Sequence, residues 1–560
     1  MPNAELIIAE FDKLVVDRAP LDKILRECAQ YACPEKSDFF SSTPGDSRPK
    51  HIIINEVIEA AGYFARGTQS NLMPTNMMWF RFNATDPKVA ESTAVKEYFS
   101  ACNTAYYFEL INSNFLMEFY EAFEDAGWAG TMNVAIEEDE ERTFRFTNYH
   151  ISDYYVKEDF DKKIRTTFRR FERTAEQAIM EFPDGNLSKE LTECAVSKKP
   201  EDRARKFEFI HVVRPRHDRK YNKETGEAYQ DPMNLPWAEI YIEKKNKTIV
   251  REGGFHENPF TVGRVEKKAK QVYGHSPAMT CLRSAKILNK IWMTCLKAGE
   301  KQVDQPVMLN AAAYTKGLSP QFKQNPGSVN LYDGTQPNSA PQFQQQGNGI
   351  PISLELFDRT KGSVDNSFFV DMFAMIAELN KNNGRQRTAY EIQQLVAEKN
   401  AQIIPLVGRL LEELITPTLE KGWKMMERKE KFPPRPEELD GVDVNITYIS
   451  PLALATRMVD VNVFFDYLQT IAPLAEINPG VVASRIDVDK AITTISNRMG
   501  VSTDFTFSSE EAADNREELA AQQQKQMESE QQLELAKSQN LNEKPQEGSA
   551  ASAIGAMLGG

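Results

Sequence analysis

Apolar residues recur every three to four positions over the first quarter of the chain, which is the spacing of amphipathic helices. The pattern predicts helices over residues 4–33, 52–71 and about 90–124, the last of them dense in aromatic residues. A polar loop rich in Ser, Pro, Gly and Asp separates the first two helices at residues 37–49. The N-terminal part of the chain is therefore expected to be helical.

Residues 130–265 read instead as short strands divided by polar turns, which predicts a β-rich module inserted between helical parts. The expected strands lie at residues 131–136, 143–147, 151–156, 164–171, 207–213, 237–243 and 247–251, with a short helix at 174–182. Four basic residues of this module cluster on and just after the fourth strand, namely Arg165, Arg169, Arg170 and Arg173. An exposed sheet face and an anion site explain this cluster about equally well.

A long amphipathic helix is predicted over residues 276–302. Ser276 is a good N-cap, and Pro277 falls where a missing backbone N–H costs nothing. At 1.5 Å per residue this helix is roughly 39 Å long. Its apolar residues share one broad face, and a narrow stripe on the opposite face carries Arg283, Lys286, Lys290, Lys297 and Lys301.

Irregular and helical stretches alternate after this helix. Residues 303–362 are rich in Pro, Gly, Asn and Gln and predict a small subdomain with turns and short strands. A helix is expected at 365–380, followed by a polar loop and by a capping box, Thr-Ala-Tyr-Glu at 388–391, that begins a further helix. That helix could continue to about residue 428, and Pro405 is expected to kink it.

The last part of the chain holds weaker signals. A strand is expected at residues 442–448 and helices at 452–475 and 487–499. Residues 508–560 are rich in Ala, Gln and Glu and contain no aromatic residue, so they cannot build a core and form at most an exposed helix. The expected fold class is thus α+β, mainly α.

The amino-acid composition excludes several classes of protein. The 560 residues are 41% hydrophobic and 26% charged with a net charge of −14, which is ordinary for a globular protein and argues against one that coats nucleic acid. Six cysteines are too few for a disulfide framework. No apolar run approaches the ~18 residues of a membrane span, and residues 1–12 lack the pattern of a secretory signal. Neither membrane insertion nor secretion is therefore expected.

Catalytic motifs are absent from the sequence. It contains no GxxxxGK[ST], GxSxG, HExxH or GxGxxG, so no catalytic residue, metal or cofactor is predicted. Cys28 and Cys33 lack a second pair at zinc-finger spacing and are interpreted as half-buried thiols. His211 and His217 are interpreted as surface residues at the end of a strand. A nucleic-acid hydrolase without recognisable motifs stays open as an alternative.

Helices this long with one apolar face need neighbours along their whole length, either in a long bundle or in a ring. Several segments, taken in order, resemble the head-to-tail connector, or portal, proteins of short-tailed bacteriophages. They are residues 60–65, 72–80, 258–260, 273–279, 303–307, 387–392 and 404–410. Met77 and Met78 stand before Trp79 where the family suggests a proline-rich approach, so the resemblance is weaker there.

The resemblance implies a dodecameric ring at one capsid vertex through which double-stranded DNA enters and leaves. It implies the terminase large subunit, tail adaptor proteins, and major capsid and scaffolding proteins as partners, with assembly in the host cytoplasm and a final place in the virion. The implied parts are a wing at 1–275, stem helices at 276–302 and 364–380, a clip at 303–363, a tunnel loop at 381–388, a kinked helix at 389–430 and a crown at 431–507. The tail at 508–560 is expected either to form a barrel helix or to be disordered. Another ring-forming virion protein, such as an adaptor or baseplate component, is the alternative.

The resemblance also points to residues that meet DNA. Lys381, Arg385 and Arg387 are the candidates for transient phosphate contacts, on a loop where Gly384 permits movement. A polar helix–helix connection with solvated charges would have the same composition. The basic stripe of the long helix faces either the channel or acidic residues of the next subunit, or is simply solvated, and we favour the last two.

Overall fold

The structure is a computed structural model, and both helices and strands build it, which confirms the expected α+β class. The residues that it describes are 3–39, 51–75, 77–90, 92–139, 141–221, 228–229, 231–303, 307–310, 325, 327–332, 349–373, 405–449 and scattered single positions between 464 and 527.

The N-terminal part is helical, as predicted. Its elements are α1 (Ala4–Ala32), α2 (Glu56–Leu72), β1 (Phe80–Ala84), the short α3 (Pro87–Ala90), α4 (Thr93–Asn112) and α5 (Phe115–Trp128). The single aromatic helix expected at 90–124 is wrong, because the chain breaks between α4 and α5. Asn114 at this break exchanges hydrogen bonds with the backbone of Phe146, at 2.7 and 2.9 Å, and so ties the start of α5 to the neighbouring sheet.

The β-rich module contains all seven predicted strands, with shifted ends. Its elements are β2 (Thr131–Glu138), β3 (Phe144–Tyr149), β4 (Tyr154–Glu158), β5 (Ile164–Thr174), α6 (Ala175–Glu181), α7 (Lys189–Val196), α8 (Pro200–Arg203), β6 (Lys206–Pro215), β7 (Trp237–Glu243), β8 (Thr248–Phe255) and β9 (Phe260–Arg264). Strands β3-β2-β9 form one antiparallel sheet, and β4-β5-β6-β7-β8 form a second. Strands β1 and β9 and helices α7 and α8 go beyond the prediction.

Helix α1 joins the two halves of this fold. Its N-terminal residues Ile7 and Phe11 are buried against the five-stranded sheet, whereas Leu25 and Cys28 near its other end belong to the main core. Buried Arg18 lies between them and donates hydrogen bonds to the carbonyl oxygens of β4 and of the preceding loop. Helix α1 therefore contributes to both cores and links the five-stranded sheet to the helical part, whereas the β3-β2-β9 sheet packs directly in the main core.

The C-terminal elements return to the main core. They are α9 (Pro277–Val303), β10 (Val307–Asn310), β11 (Val329–Tyr332), α10 (Gly349–Ser367), a π-helical segment (Leu411–Ile415), α11 (Thr416–Arg428) and β12 (Val444–Tyr448), with short 3-10 helices at Pro34–Lys36, Pro232–Asn234 and Glu437–Leu439. Strand β12 pairs with β1 in an antiparallel ribbon, and β10 pairs with β11 in parallel.

The helix expected after the irregular stretch is displaced. Helix α10 begins at Gly349 and ends at Ser367, so residues 349–362 are helical rather than irregular and the start expected at 365 is wrong. Helical structure resumes at residues 370–373, inside the range predicted at 365–380. Pro351 falls in the first turn of α10, where proline is tolerated. Phe369 has φ +57°, a left-handed backbone conformation that turns the chain just after α10. The expected helices at 452–475 and 487–499 and the tail lie almost entirely outside the described residues.

Candidate channel-forming helices and their anchorage

Helix α9 begins inside the core. Its N-cap is Ser276, as predicted, because the Ser276 hydroxyl accepts a hydrogen bond from the N–H of Met279 at 3.0 Å. The same hydroxyl donates to the carbonyl oxygen of Trp128 at the end of α5, at 2.9 Å. The first turns of α9 are thus held in a fixed direction by the main core.

The far end of α9 leaves that core. Leu288 is fully buried, whereas Leu296 is 47% exposed and Val303 is 90% exposed. Helix α10 accompanies the emerging part, and the rings of Trp292 and Phe357 lie 5.3 Å apart between the two helices. We call α9 and α10 together the helical hairpin.

The basic stripe lies on one face of α9, as predicted. Arg283, Lys286, Lys290 and Lys297 are exposed and Lys301 is partly exposed. Within the described part of the chain the stripe forms one ion pair, between Lys286 and Glu27 of α1 at 2.6 Å. Its other cations are available to phosphates or to the acidic residues of another protein.

Helix α10 exposes apolar and acidic residues, in contrast to the basic stripe of α9. Leu354 and Leu356 are 44% and 49% exposed, and Glu355 and Asp358 beside them are exposed as well. A single chain therefore leaves apolar and charged residues of both signs uncovered on the two helices of the hairpin.

A close contact anchors the segment that follows the hairpin to α2. A Cβ atom added at Gly67 would lie 2.3 Å from Cγ of Phe373, so only glycine lets this ring approach the helix. Phe373 also packs against Phe64, with ring centroids 6.3 Å apart.

Arg264 joins three elements beneath the hairpin. It is 4% exposed and donates two hydrogen bonds of 2.8 Å to the carboxylate of Glu413 in the π-helical segment. It also donates to Glu158 at the end of β4 and to the carbonyl oxygen of Val272. Burial disfavours the charged guanidinium, but these carboxylates outweigh it and raise the pKa of Arg264.

Lys421 of α11 makes a second, partly buried polar contact with β9. Its ammonium group donates to the carbonyl oxygen of Phe260 at 2.9 Å and to the hydroxyl of Thr261 at 2.6 Å. Loss of hydration lowers the pKa of Lys421 to about 7. Arg264, Glu413 and Lys421 carry no motif in the sequence, because their pairing joins segments about 150 residues apart.

The structure does not test the predicted tunnel loop or the predicted kink at Pro405. Lys381, Gly384, Arg385 and Arg387 lie outside the described residues, so the tunnel loop stays a prediction. Pro405 is the first residue described in its helix, so the expected kink there stays untested. The irregularity that the structure does describe is the π-helical segment, which directly precedes the turn containing Pro417; a proline cannot donate the next backbone hydrogen bond.

The surface interpretation of His211 is wrong. His211 is 2% exposed in the middle of β6, where its ring stacks on Tyr241 at 4.1 Å. Burial lowers its pKa, although Glu239 lies 3.4 Å away. His217 is exposed, as predicted.

The arginine cluster of β5 is a set of separate contacts. Arg165 pairs with Asp159 and Asp161, and Arg173 pairs with Glu181. Arg169 lies over the ring of Tyr149. These partners favour the exposed sheet face over the anion site.

Metal and membrane signals are missing from the described residues. Cys28 is buried and Cys33 is partly buried, and burial raises the pKa of the two thiols to about 12 and about 11. In the ranges that the structure covers, no group of three His, Cys, Asp or Glu side chains could hold a metal ion. Among the helices described there, none has the length and apolar character needed to cross a bilayer.

The fold thus presents a protruding helical hairpin on a mixed platform, an arrangement suited to assembly. Comparison with known proteins places it among virus proteins: the family model described as "Bacteriophage head to tail connecting protein" matches residues 4–506, and the chain belongs to that family. It is 24% identical to the "Probable portal protein" of Bordetella phage BPP-1 over 529 residues, covering 93% of this chain and 91% of that protein. It is also 24% identical to the "Portal protein" of Salmonella phage epsilon15 over 525 residues, covering 92% and 91%.

Proposed function

We propose that this chain is the portal protein of a short-tailed bacteriophage, and that it assembles in the host cytoplasm into a ring, dodecameric by family resemblance, at one capsid vertex of the virion. The observation that carries the proposal is the family match over residues 4–506, together with two relatives named as portal proteins that are matched over nine-tenths of their length. In this ring the DNA duplex is packaged and ejected through a central channel.

The helical hairpin supports the ring. Leu296 and Val303 on α9 and Leu354 and Leu356 on α10 are exposed in the single chain. Burying apolar surface stabilises association by roughly 25 cal/mol per Å², and repeated copies around an axis bury these residues at every interface. Side-by-side hairpins would form the stem that surrounds the channel.

The channel must let DNA move. Each phosphate contact by a fixed cation adds affinity that falls with salt with a slope of about 0.9, so a strongly basic lining would hold the duplex in place. An acidic chain with few mobile cations avoids this. We assign transient phosphate contacts to Lys381, Arg385 and Arg387, with Gly384 as the point of movement.

Because α10 begins at Gly349, the clip expected at 303–363 narrows in this proposal to the residues between α9 and α10, at the far end of the stem. We propose that it docks the terminase large subunit and, later, tail adaptor proteins. The described part of the clip includes the parallel pair β10–β11. Major capsid and scaffolding proteins would contact the wing. Deleting residues 320–345 should spare ring formation and abolish terminase docking in a pull-down; docking that survives the deletion would remove the clip from this role.

Negative-stain electron microscopy of the purified protein tests the proposal. We expect closed rings, close to twelve subunits, with a lumen wide enough for a DNA duplex. Rings with a lumen too narrow for a duplex would favour the adaptor or baseplate alternative. Compact single copies together with metal-dependent DNA cleavage would favour the hydrolase.

The tunnel loop has its own test. Replacing Lys381, Arg385 and Arg387 together by glutamine should leave the ring intact and alter DNA packaging or retention, because only phosphate contacts are lost. The readout is the packaged DNA per particle in a phage carrying the triple variant, with Lys198→Gln/Lys199→Gln as the control of exposed lysines on the wing. Wild-type packaging and retention by the triple variant would exclude the loop from the mechanism.

A further inference from the structure

The turn between β4 and β5 presents a large apolar side chain to solvent. Phe160 is 90% exposed, which only Val303 equals among the large apolar residues that the structure describes. A lone exposed apolar residue is common on surfaces and by itself needs no explanation. The turn that carries Phe160 supplies the further evidence.

This turn is held rigidly. The backbone of Asp159 and Lys163 closes it at 2.9 Å, and the carboxylate of Asp159 accepts the N–H of Phe160 at 2.8 Å. Arg165 bridges Asp159 and Asp161 from the strand behind. An apolar side chain on a pre-ordered turn loses little entropy on binding, which is the property of an interface anchor.

A second exposed apolar surface lies where α4 passes into α5. Phe108 and Ile111 on α4 are 66% and 43% exposed, and Met117 on α5 is 73% exposed. We call these three residues the α4–α5 corner. The two helices carry six acidic residues and one lysine.

The Phe160 turn and the α4–α5 corner lie toward opposite ends of α5. The carbonyl oxygen of Lys162 in the turn accepts from Arg264, and the neighbouring Val265 donates to the carbonyl of Gly130 just after α5. Met117 lies in the first turn of α5, a helix of 14 residues and so roughly 21 Å long. The two surfaces are therefore distinct patches on one rigid body, as a head-to-tail contact between copies requires.

Charge favours the same pairing. Asp159 and Asp161 are engaged by Arg165, which leaves Lys162 and Lys163 as exposed cations without an ion pair among the described residues. Of the six acids on α4 and α5, Glu109 pairs with Lys431, and Glu121, Glu124 and Asp125 pair with Lys36. Even with these two lysines and Lys96 counted, this surface stays net negative and is complementary to Lys162 and Lys163. We propose that the Phe160 turn of one copy docks on the α4–α5 corner of the next copy, an inference that rests on the ring of the proposed function.

Cross-linking tests this contact in assembled rings. Phe160→Cys combined with Met117→Cys, in a background with Cys33, Cys194 and Cys295 replaced by serine, should give ladders of linked subunits with a short bismaleimide. Either single variant, and the pair Phe160→Cys with Met180→Cys on exposed α6, should give no ladder. Rings in which residue 160 stays open to maleimide labelling, or links only to another virion protein, would overturn the contact while leaving the portal function intact.

Assembly provides the second measurement. Phe160→Asp should weaken subunit association tenfold or more in a dilution series, whereas Met180→Asp should leave it unchanged. Unaltered circular dichroism of the Phe160→Asp monomer would separate lost assembly from misfolding. Association unaffected by Phe160→Asp would contradict the inference, and a wild-type chain that forms no rings would overturn both this contact and the proposed function.

Discussion

Two glycines on α2 have opposite surroundings, although both lie in the interior of the same helix. The nearest atoms to a Cβ at Gly62 belong to the flexible guanidinium of Arg66, at 3.1 Å, whereas a Cβ at Gly67 would overlap the ring of Phe373. Gly62→Ala should therefore raise the free energy of unfolding by about 0.5–1 kcal/mol, because alanine favours the helix.

Gly67→Ala should lower the free energy of unfolding by about 1–3 kcal/mol, because Phe373, in the segment after α10, must leave its position against α2. Urea denaturation of the two variants measures the contrast. The double variant Gly67→Ala/Phe373→Leu should be less destabilised than the sum of its single changes. Equal effects at Gly62 and Gly67 would show that the ring does not occupy this place.

Lys421 should make stability depend on pH. The pKa of this lysine is about 7 in the folded chain and about 10.5 when hydrated, so between these values the unfolded chain binds a proton that the folded chain lacks. Stability should then rise with pH across pH 7–10.5, by at most ~1.4 kcal/mol per pH unit. Because part of the side chain still reaches solvent, the measured slope should lie below this ceiling.

Lys421→Met should flatten that rise, as measured by urea denaturation midpoints at pH 7, 8, 9 and 10. Lys424→Met, at an exposed position one turn further on, is the control and should keep the wild-type profile. A Lys421→Met variant with an unchanged pH profile would contradict the assignment of a low pKa to this group.

At the level of elements, Arg264 connects β9, β4 and the π-helical segment. Arg264→Met would remove the buried cation between Glu158 and Glu413 and leave Lys267 and Arg409 as their remaining partners, which should cost about 1–3 kcal/mol. Arg428 is the matched control: it also holds two carboxylates, Glu257 and Glu138, but its side chain is 30% exposed.

We expect Arg428→Met to cost no more than about 1 kcal/mol, because water screens exposed pairs. Thermal unfolding of both variants gives the comparison. Glu413→Gln added to Arg264→Met should recover part of the loss, since it removes a carboxylate that has lost its buried partner. Similar losses at Arg264 and Arg428 would mean that the three-element junction contributes no more than a surface ion pair.

Some of these elements could be predicted from the sequence and others could not. Periodicity predicted α1, α2 and α9 closely, because each has a continuous apolar face, and the Ser276 cap marked the start of α9. Periodicity failed between α4 and α5, because the apolar spacing continues through the break. The break is stabilised by hydrogen bonds between the side chain of Asn114 and the backbone of Phe146 on β3, and local spacing does not show these bonds. Periodicity also missed β1, because this short strand depends on pairing with β12 more than 360 residues later.

For the candidate site, helical periodicity predicted that the basic stripe shares one face of α9. It did not predict the ion pairs that hold α9 and its neighbours in place. The pairing of Lys286 with Glu27 and of Arg264 with Glu413 depends on how distant segments meet in the fold. Assignments drawn from family resemblance, such as the tunnel loop, add positions that no periodicity indicates.

On the scale of the whole molecule, the position of the stripe decides between two roles. If it lined the channel, its five cations would be repeated in every subunit and would hold the duplex by many phosphate contacts. If these cations instead pair with acidic residues of a neighbouring subunit, they make no phosphate contacts and leave the DNA free to move through the channel. Glu355 and Asp358, exposed on α10, provide such residues on the adjacent helix of the hairpin.

Lys290→Glu/Lys297→Glu should therefore weaken ring formation tenfold or more at low salt, and molar salt should restore it by screening the new repulsion. Native mass spectrometry at both salt concentrations measures the ring fraction, with Lys198→Glu/Lys199→Glu as the control for charge reversal on the wing. Adding Glu355→Lys and Asp358→Lys should restore rings at low salt, because the interface charges are then exchanged. Intact rings with altered DNA packaging in the first variant would instead place the stripe in the channel.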